Sequence, residues 1–464
     1  MDVELRRLLE SPKTLHFIGV GGSGMYPLVQ IMLEKGHTLQ GSDVNEGDIL
    51  AYERKKGVRV MMGHKPENID GADLVVYSAA IRPDNPERLE AERRGIPCVE
   101  RSVMLGYVAS LYETPLCIAG THGKTTTTGM TVQILESAGF DPAAVIGGKL
   151  PLIHGYGKGG KGGAIVVEAC EFHDTFLALT PDTAVLLNID NDHLDYFGSM
   201  ENLKASFRKF CARATGQILY NGDDAQSREV VAGLPQPKTS FGLGEGNELR
   251  AVNLREHRPS CWSFDVVERG QTTGTASLAV PGRHNIHNAL AAYGAARRAG
   301  ASARQCFQGL ASFGGAGRRF ETLGQVDGFT VVDDYAHHPA ELEVTLRAAT
   351  QMDYREVWAI FQPYTFSRTQ QMLDEFAKAL SLADHVVMTA VMGGRERAED
   401  YRVTTEDIAK NIPGSVWFET QREVANHVLA HAQPGDLVIT LGCGDIYKCA
   451  HMLLESSQNE GMLP

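Results

Sequence analysis

Residues 116–137 read LCIAGTHGKTTTTGMTVQILES, and this stretch decides the fold class. A short apolar run is followed by a glycine-bounded turn and then by apolar residues near helical spacing. Such a turn presents backbone N–H groups to phosphates, a lysine to the outer phosphates and a hydroxyl to Mg²⁺. The order of strand, turn and helix therefore predicts an ATP-binding phosphate loop. Its residues are Gly120, Thr121, His122, Gly123, Lys124, Thr125 and Thr126.

Similar apolar runs recur along the whole chain, and each is followed by a segment long enough for a helix. Alternating buried strands and helices are typical of parallel sheets covered on both faces, so the predicted class is α/β. Between about 235 and 280, shorter alternating runs predict an antiparallel edge or subdomain. The predicted parallel strands cover residues 15–20, 74–80, 116–120, 164–169, 183–189, 329–334, 357–362, 385–391 and 437–442.

Two breaks in this pattern predict domain boundaries. SLYETP at 110–115 precedes a new strand, and the glycine cluster FGGAGRRF at 313–320 precedes another strand series. We therefore predict three domains over residues 1–113, 114–317 and 318–464, with GAGRR as a hinge. The segment HGYGKGGKGG at 154–163 predicts a flexible loop or a solvated hairpin tip by composition.

Composition excludes several classes of protein. Hydrophobic residues make up 43% of the 464 residues and charged residues 22%, which argues against disorder. The net charge of −13, without a basic block, excludes coating of a nucleic acid polymer or an anionic membrane. The eight cysteines are scattered and form no CxxC pair, which argues against structural zinc. A charged N-terminus and the absence of a long apolar run predict a cytoplasmic protein without membrane insertion.

A second glycine-rich turn lies near the N-terminus. Gly19, Gly21 and Gly24 follow the strand at 15–20, precede an apolar helix pattern, and are followed by Asp43. Glycines let the backbone approach a diphosphate, and the later acid can hold a ribose. The motif predicts a site for a dinucleotide or a nucleotide diphosphate without deciding between them. A nicotinamide-dependent oxidoreductase is therefore an alternative, although it leaves the phosphate loop unexplained.

Polar residues at other strand ends complete the candidate site. Glu168 ends one predicted strand and His193 follows another, and both could converge on Mg²⁺, because strand ends face the ligand crevice of a parallel sheet. Asn285 begins a predicted helix, where it could contact a base edge or simply cap the helix. The acids near Glu168 and His193 that the sequence does not rank are Glu171, Asp174, Asp190, Asp192 and Asp195.

Together these motifs resemble the Mur ligase family of ATP-dependent amino-acid ligases, which build the peptidoglycan stem peptide. The resemblance runs nearly end to end and in family order. It lies closest to the branch that joins L-alanine to UDP-N-acetylmuramate. The segments that carry it are FIGVGGSGM, GSD, YSAAI, AGTHGKTTTT, EACE, NIDNDHLDYF, GRHNIHNALAA, GAGRRFE, DDYAHHPAE and FQPYTFSRT.

The resemblance implies an N-terminal Rossmann-like UDP-binding domain, a central phosphate-loop domain with a mainly parallel sheet, and a C-terminal Rossmann-like domain. It assigns the N-terminal loop to a UDP-sugar rather than to a nicotinamide, through Gly21, Gly22, Ser23, Gly24, Asp43 and Ser78. It assigns Mg²⁺ to Thr125, Glu168 and His193. It places His284, Asn285, Asn288, Arg319 and Asp334 by the nucleotide of ATP. It places Tyr335, His337 and Arg368 by the amino acid, and makes Lys124, Glu168, His193, His337 and Arg368 the catalytic set.

The implied activity is ATP-dependent ligation of L-alanine to the carboxylate of UDP-N-acetylmuramate through an acyl phosphate. A ligase that attaches a recycled stem peptide to the same nucleotide sugar is the nearest alternative, and an inactive nucleotide-binding regulator is a third. ATP and Mg²⁺ are the expected cofactors, and the protein is expected to be a monomer or a homodimer. The sequence decides neither the selectivity among L-alanine, L-serine and glycine nor feedback regulation.

Overall fold

The computed structural model describes residues 3–192, 194–394 and 396–460, apart from the side chains of residues 194, 195 and 457–460. Its strands form three sheets, and one sheet falls within each predicted domain. All nine predicted parallel strands are present, with ends that differ by up to three residues. The predicted α/β class with three sheet-containing regions is therefore confirmed. No helix in the described ranges is long and apolar enough to cross a membrane.

The N-terminal sheet has five strands in the order β3-β2-β1-β4-β5, and all of its strand pairs are parallel. Parallel neighbours need crossover connections, which the intervening helices supply. The strands are β1 (Thr14–Ile18), β2 (Thr38–Asp43), β3 (Arg59–Met62), β4 (Leu74–Tyr77) and β5 (Cys98–Glu100). The helices are α1 (Val3–Leu8), α2 (Tyr26–Glu34), α3 (Asp48–Lys55), α4 (Pro86–Arg94) and α5 (Arg101–Ala109).

The central sheet has ten strands in the order β15-β14-β13-β12-β11-β10-β6-β9-β7-β8. Its middle is parallel, whereas β14 with β15 and β7 with β8 form antiparallel pairs at the two edges. The strands are β6 (Thr114–Ala119), β7 (Ala143–Leu150), β8 (Gly155–Lys158), β9 (Ala164–Glu168), β10 (Thr183–Leu186), β11 (Gln217–Asn221), β12 (Lys238–Gly242), β13 (Leu249–Arg258), β14 (Cys261–Glu268) and β15 (Gln271–Ser277). The helices are α6 (Lys124–Ser137), α7 (Leu194–Phe197), α8 (Met200–Ala212), α9 (Ala225–Val231), α10 (Asn285–Arg298) and α11 (Ala303–Ser312).

The C-terminal sheet has six strands in the order β16-β17-β21-β18-β19-β20, and only the pairing of β16 with β17 is antiparallel. The strands are β16 (Glu321–Val326), β17 (Phe329–Asp334), β18 (Val357–Phe361), β19 (His385–Thr389), β20 (Val416–Phe418) and β21 (Leu437–Leu441). The helices are α12 (Pro339–Thr350), α13 (Phe366–Gln371), α14 (Leu373–Leu380), α15 (Thr405–Ala409), α16 (Gln421–His431) and α17 (Tyr447–Glu460). Short 3₁₀ helices cover Pro66–Ile69, Pro151–Ile153, Phe172–Ala178 and Ala398–Asp400.

The glycine-rich segment 154–163 is more ordered than a flexible loop. Residues Gly155–Lys158 form β8 and pair with β7, and the Lys158 ammonium lies 2.6 Å from a carboxylate oxygen of Asp141. A Cβ atom at Gly162 would lie 2.0 Å from the carbonyl oxygen of Phe140. The prediction of a flexible, solvated tip is therefore wrong for residues 155–158, whereas residues 159–163 lie outside any strand and Lys161 is exposed. Small residues are needed here because the backbone packs directly against neighbouring backbone.

The chain divides into two compact units. The first, unit 1, runs to Leu254 and also includes Ser263–Leu278 and His284–Gly314. The second, unit 2, comprises Arg255–Trp262, Ala279–Arg283 and the chain from Gly315 on. Unit 1 contains the N-terminal sheet and most of the central sheet, around a core that includes Phe17, Phe176 and Phe210. In unit 2, buried side chains cover both faces of the C-terminal sheet.

Candidate functional site

The phosphate loop in unit 1 connects β6 to α6 through Gly120–Gly123. Gly120 and Gly123 have φ angles of +146° and +84°, which side-chain-bearing residues rarely adopt. A Cβ atom on Gly123 would lie 2.4 Å from Oδ1 of Asn288. Glycine is therefore required at position 123 for both its backbone conformation and its close packing. The first turn of α6, which includes Thr125 and Thr126, begins directly after the loop, and the N-terminus of a helix favours the binding of an anion.

Asn188, two residues beyond the end of β10, holds the phosphate loop in shape. The backbone N–H of His122 donates to Asn188 Oδ1 at 2.8 Å, and Asn188 Nδ2 donates to the carbonyl of His122 at 3.0 Å. The N–H of Thr121 donates to the Asn188 carbonyl at 3.0 Å. The sequence prediction missed this residue. Asn188 is the first polar side chain after an apolar strand, and this position could have identified it in the sequence as a site residue.

The Lys124 ammonium folds back over its own loop. Nζ lies 2.5 Å from the carbonyl oxygen of Gly120 and 3.0 Å from that of Thr121. It also contacts both carboxylate oxygens of Glu171, at 3.0 and 2.9 Å. Burial alone would lower the pKa of Lys124, but the Glu171 carboxylate outweighs this effect and raises the pKa above its ordinary value. The lysine is therefore fully charged at neutral pH.

Two of the predicted metal ligands lie together. The Thr125 hydroxyl donates to Glu168 Oε1 at 2.9 Å, and the N–H of Gly147 donates to Oε2 at 2.7 Å. A hydroxyl and a carboxylate at this separation fit Mg²⁺, which prefers oxygen ligands and usually takes others from phosphates and water. The third predicted ligand, His193, lies outside the described residues. Within those residues, no group of three or more His, Cys, Asp or Glu side chains is arranged to hold a metal ion.

The predicted adenine contacts lie at the start of α10. His284 is exposed, whereas Asn285 and Asn288 are buried and joined by a 2.8 Å hydrogen bond from Asn288 Nδ2 to Asn285 Oδ1. The contact with Gly123 places Asn288 directly behind the phosphate loop. His284, not Asn285, occupies the N-cap position of α10, so the capping alternative for Asn285 is wrong.

The N-terminal glycine loop is also in unit 1, between β1 and α2. The N–H of Gly21 donates to Asp43 Oδ2 at 2.9 Å, which joins the loop to the end of β2. Gly22 and Ser23 are exposed at the loop, and Ser78 Oγ would lie 4.0 Å from a Cβ atom on Gly19. The structure thus brings the predicted UDP-sugar residues to one end of the sheet.

Arg101 is a residue that sequence reasoning missed. The guanidinium of Arg101, at the start of α5, would lie 3.5 Å from a Cβ atom on Gly24. A planar guanidinium beside backbone N–H groups is a common arrangement for binding phosphate. Arg101 follows β5 directly, so its position at a strand end was the signal in the sequence.

A buried carboxyl group lies close to this loop. Both oxygens of Glu53, on α3, are buried, and neither has a hydrogen-bond partner within the part of the chain that the structure describes. Burial, together with the nearby Asp43 carboxylate, raises the pKa of Glu53 from 4.5 to about 8. Glu53 is therefore mostly protonated at neutral pH.

In unit 2, Asp334 ends β17 and is buried. Its carboxylate accepts hydrogen bonds from the N–H groups of Phe320, at 2.7 Å, and Ala336, at 2.8 Å. Burial raises the pKa of Asp334 to about 6, although the Arg319 guanidinium and the two N–H groups partly offset the rise. The Arg319 guanidinium lies 4.8 Å from the ring centre of Tyr335. The two predicted nucleotide contacts of unit 2 are thus neighbours.

The predicted amino-acid contacts also lie in unit 2. His337 Nδ1 is 3.0 Å from the Tyr335 carbonyl oxygen and 3.2 Å from Glu341 Oε2. Burial raises the pKa of the Tyr335 phenol to about 12. Arg368 lies on α13, just after Thr365, whose φ angle of +66° turns the chain into that helix. His337 and Arg368 therefore follow the carboxyl ends of β17 and β18, which are both paired with β21.

Arg318 organises this part of unit 2, and the sequence prediction overlooked it in favour of Arg319. The Arg318 guanidinium donates to Asp333 Oδ2 at 2.8 Å and to the carbonyls of Gly442 and Gly444 at 2.6 and 3.1 Å. These bonds connect the end of β17 to the loop after β21. The sequence alone does not show which of two adjacent arginines forms the hydrogen bonds that hold the fold together.

Three consecutive parts of the chain match domains of one family. Residues 14–113 match the domain described as "Mur ligase family, catalytic domain". Residues 118–296 match the "Mur ligase middle domain", and residues 318–444 match the "Mur ligase, glutamate ligase domain".

Curated relatives cover nearly the full chain. The chain is 39% identical over 456 residues to the UDP-N-acetylmuramate--L-alanine ligase of Caldanaerobacter subterraneus subsp. tengcongensis, covering 97% of this chain and 99% of that protein. It is 40% identical over 452 residues to the protein of the same name from Alkaliphilus metalliredigens, covering 95% and 97%.

Solved structures agree with these matches. The UDP-N-acetylmuramate-alanine ligase of Thermotoga maritima superposes with a TM-score of 0.81 at 27% identity, covering 97% of this chain and all of that one. A murein peptide ligase from Psychrobacter arcticus gives a TM-score of 0.75 at 25% identity, covering 96% and 99%. With relatives at about 40% identity over nearly its whole length, the chain belongs to the Mur ligase family.

Proposed function

We propose that the protein joins L-alanine to the lactyl carboxylate of UDP-N-acetylmuramate, with conversion of ATP to ADP and phosphate, in peptidoglycan precursor synthesis. The observation that carries this proposal is the end-to-end likeness to ligases of that name at 39–40% identity. The phosphate loop, with Lys124 and the Thr125–Glu168 pair in place, supports an active ligase over an inactive regulator.

The chemistry follows from the poor reactivity of a free carboxylate. A carboxylate oxygen of the substrate attacks the γ-phosphorus of ATP, the bond to the β-phosphate oxygen breaks, and ADP leaves. The uncharged amine of L-alanine then attacks the carbonyl carbon of the acyl phosphate, the nitrogen loses one proton to solvent, and phosphate departs with one oxygen of the original carboxylate. Lys124 stabilises the charge that spreads over the transferred phosphoryl oxygens. Labelling the substrate carboxylate with ¹⁸O should therefore place one label in the released phosphate.

Thr125, Glu168 and His193 are the residues we propose to hold Mg²⁺. When bound, the ion neutralises phosphate charge and orients the terminal phosphate for attack. The contact between the Thr125 hydroxyl and the Glu168 carboxylate supports this set. His284, Asn285 and Asn288 are proposed to contact the adenine, and Arg319 and Asp334 the rest of the nucleotide.

The UDP-sugar is proposed to bind at the N-terminal glycine loop. Gly21, Gly22, Ser23 and Gly24 would present N–H groups to the diphosphate, with Asp43 and Ser78 beside them. Arg101 adds a positive charge at Gly24, which an acidic protein needs for an anionic ligand. Tyr335, His337 and Arg368 are proposed to border the amino acid and the new bond, with Arg368 placed to pair with its carboxylate.

We also propose the domain boundaries 1–113, 114–317 and 318–464, with the GAGRR segment at 315–319 as the hinge. Separate matches of residues 14–113, 118–296 and 318–444 to three family domains support this division. A cytoplasmic location and a monomeric or homodimeric state remain predictions from the sequence.

A coupled assay of ADP release tests the proposed activity. UDP-N-acetylmuramate is supplied with L-alanine, L-serine, glycine or a stem tripeptide, and turnover is expected with L-alanine. Turnover with the tripeptide but not with L-alanine would instead identify a peptide-recycling ligase; the Psychrobacter arcticus relative is named a murein peptide ligase. A Lys124→Met variant is the control, and it should lose at least about 100-fold in kcat because phosphoryl transfer depends on that charge.

A further inference from the structure

Three acids near the phosphate loop have separate partners in the structure, and two of them, Glu171 and Asp174, are among the acids that the sequence does not rank. Glu168 uses its two oxygens for the Thr125 hydroxyl and the Gly147 N–H. Asp174 accepts hydrogen bonds from the hydroxyls of Ser206 and Tyr196. Glu171 is the carboxylate that contacts the Lys124 ammonium. Glu168 thus faces the proposed metal position, whereas Glu171 faces the lysine.

The acceptors around the Lys124 ammonium, including Glu171, outnumber its N–H donors. An ammonium has three N–H donors. Four acceptors lie within 3.0 Å of Lys124 Nζ: the carbonyls of Gly120 and Thr121 and both Glu171 oxygens. A phosphate oxygen that approaches Nζ must therefore replace one of these acceptors.

We propose that Glu171 is a positioning residue. Without nucleotide, Glu171 holds the Lys124 ammonium over the phosphate loop, and when nucleotide binds, a phosphate oxygen replaces Glu171 as the partner of the ammonium. This inference rests on the proposed function, since it takes the loop as the ATP site. Glu171 is 1% exposed and the Lys124 side chain 14% exposed, so the pair is poorly screened by solvent. The carboxylate stands where it repels an incoming phosphate, and it keeps the lysine directed toward the loop until that phosphate arrives.

The test compares ADP binding by wild-type protein and by Glu171→Gln, in chelator and at low salt. Gln keeps the size and one acceptor oxygen of Glu171 but removes its charge. We expect Glu171→Gln to bind metal-free ADP roughly tenfold more tightly, as expected for removal of one nearby like charge. The gain should shrink as salt rises, because screening weakens a charge effect but not a packing effect.

Two matched variants separate charge from shape. Glu171→Asp retains the charge and should bind metal-free ADP within about threefold of the wild type. Glu136→Gln breaks the pair with Lys158 near the far end of α6 and should leave ADP binding unchanged. Equal or weaker binding by Glu171→Gln, or equal gains in Glu171→Asp and Glu171→Gln, would overturn the proposal.

A structure of the wild-type protein with metal-free ADP gives a measurement independent of any variant. We expect Lys124 Nζ to contact a phosphate oxygen and to lose its contact with at least one Glu171 oxygen. Bound ADP beside an unchanged Lys124–Glu171 ion pair would refute the replacement of Glu171 by phosphate. Failure of the wild type to bind ADP with Mg²⁺ would contradict the proposed function itself. Normal Mg²⁺–ADP binding without tightening in Glu171→Gln would contradict only the role of Glu171.

Discussion

Asn188 shows how one side chain outside the phosphate loop can set its geometry. Asn188→Ala removes two hydrogen bonds to the backbone of His122. Each bond contributes about 1 kcal/mol, so we expect the KM for ATP to rise about tenfold or more. Steady-state kinetics at varied ATP would measure the change. The control is Asn191→Ala, because Asn191 is exposed; an equal effect in both variants would contradict this role.

Glu53 makes the stability of the protein depend on pH. Its pKa is about 8 in the folded protein and about 4.5 in the unfolded chain, so between these values the unfolded chain loses a proton that the folded protein keeps. The wild type therefore loses stability as the pH rises through this window. Glu53→Gln removes this loss because glutamine does not titrate. The free energy of unfolding of Glu53→Gln, relative to the wild type, should therefore rise by several kcal/mol between about pH 4.5 and about pH 8 and stay constant at higher pH.

Urea unfolding at a series of pH values would measure the effect of Glu53→Gln on the free energy of unfolding. Glu92→Gln is the matched control, because Glu92 is exposed on α4 and its replacement should leave the free energy of unfolding nearly unchanged. A constant difference between Glu53→Gln and wild type from pH 5 to 8 would show that Glu53 does not titrate in this window.

Residue types at strand ends were predictable, but their partners were not. Thr125 and Glu168 meet as expected, because Thr125 lies in the first turn of the helix after β6 and Glu168 ends β9, the parallel neighbour of β6. The pairings of Lys124 with Glu171 and of Gly24 with Arg101 join positions far apart in the chain, and only tertiary packing brings them together. No alternation or spacing rule specifies such contacts.

At the scale of elements, apolar runs predicted nine parallel strands because buried parallel strands need continuous hydrophobicity. β8 was missed because Gly155 and Gly157 carry no hydrophobic signal. A Cβ atom at Gly157 would lie 2.4 Å from the carbonyl oxygen of Ala144 on β7. Close backbone approach therefore replaces side-chain packing at this edge of the central sheet. The composition of the segment predicted a loop because it carries no record of such backbone contacts.

Gly162 tests this account of the 154–163 segment. Gly162→Ala places a Cβ atom 2.0 Å from the carbonyl oxygen of Phe140, so the backbone must shift. We expect a loss of about 1–3 kcal/mol in the free energy of unfolding, as for other overpacked sites. Gly246→Ala is the control, since no atom lies within 4 Å of its added Cβ and its φ angle is not positive. Equal stability of the two variants would contradict the packing argument.

At the scale of the whole molecule, the three tryptophans report on one unit. Trp262, Trp358 and Trp417 all belong to unit 2, whereas the glycine loop and the phosphate loop belong to unit 1. Tryptophan fluorescence should therefore follow unfolding of unit 2, and far-ultraviolet circular dichroism should follow both units.

A ligand that binds unit 1 stabilises it by mass action. We expect saturating UDP-N-acetylmuramate to raise the urea midpoint seen by circular dichroism more than the midpoint seen by tryptophan fluorescence. ADP is left out of the samples with and without UDP-N-acetylmuramate, so that ligand binds at the UDP-sugar site alone. Equal shifts by the two probes would mean that the units unfold together as one cooperative system.

The position of Asn288 behind Gly123 has a consequence for biosynthesis. Residues near the N-terminus leave the ribosome first, and folding generally starts there. The phosphate loop, however, is closed from behind by a helix that begins at Asn285, after the first two of the three stretches of chain that belong to unit 2. While residues 124–284 are being translated, the loop lacks this support. A nascent chain should therefore acquire nucleotide binding late, once α10 has emerged.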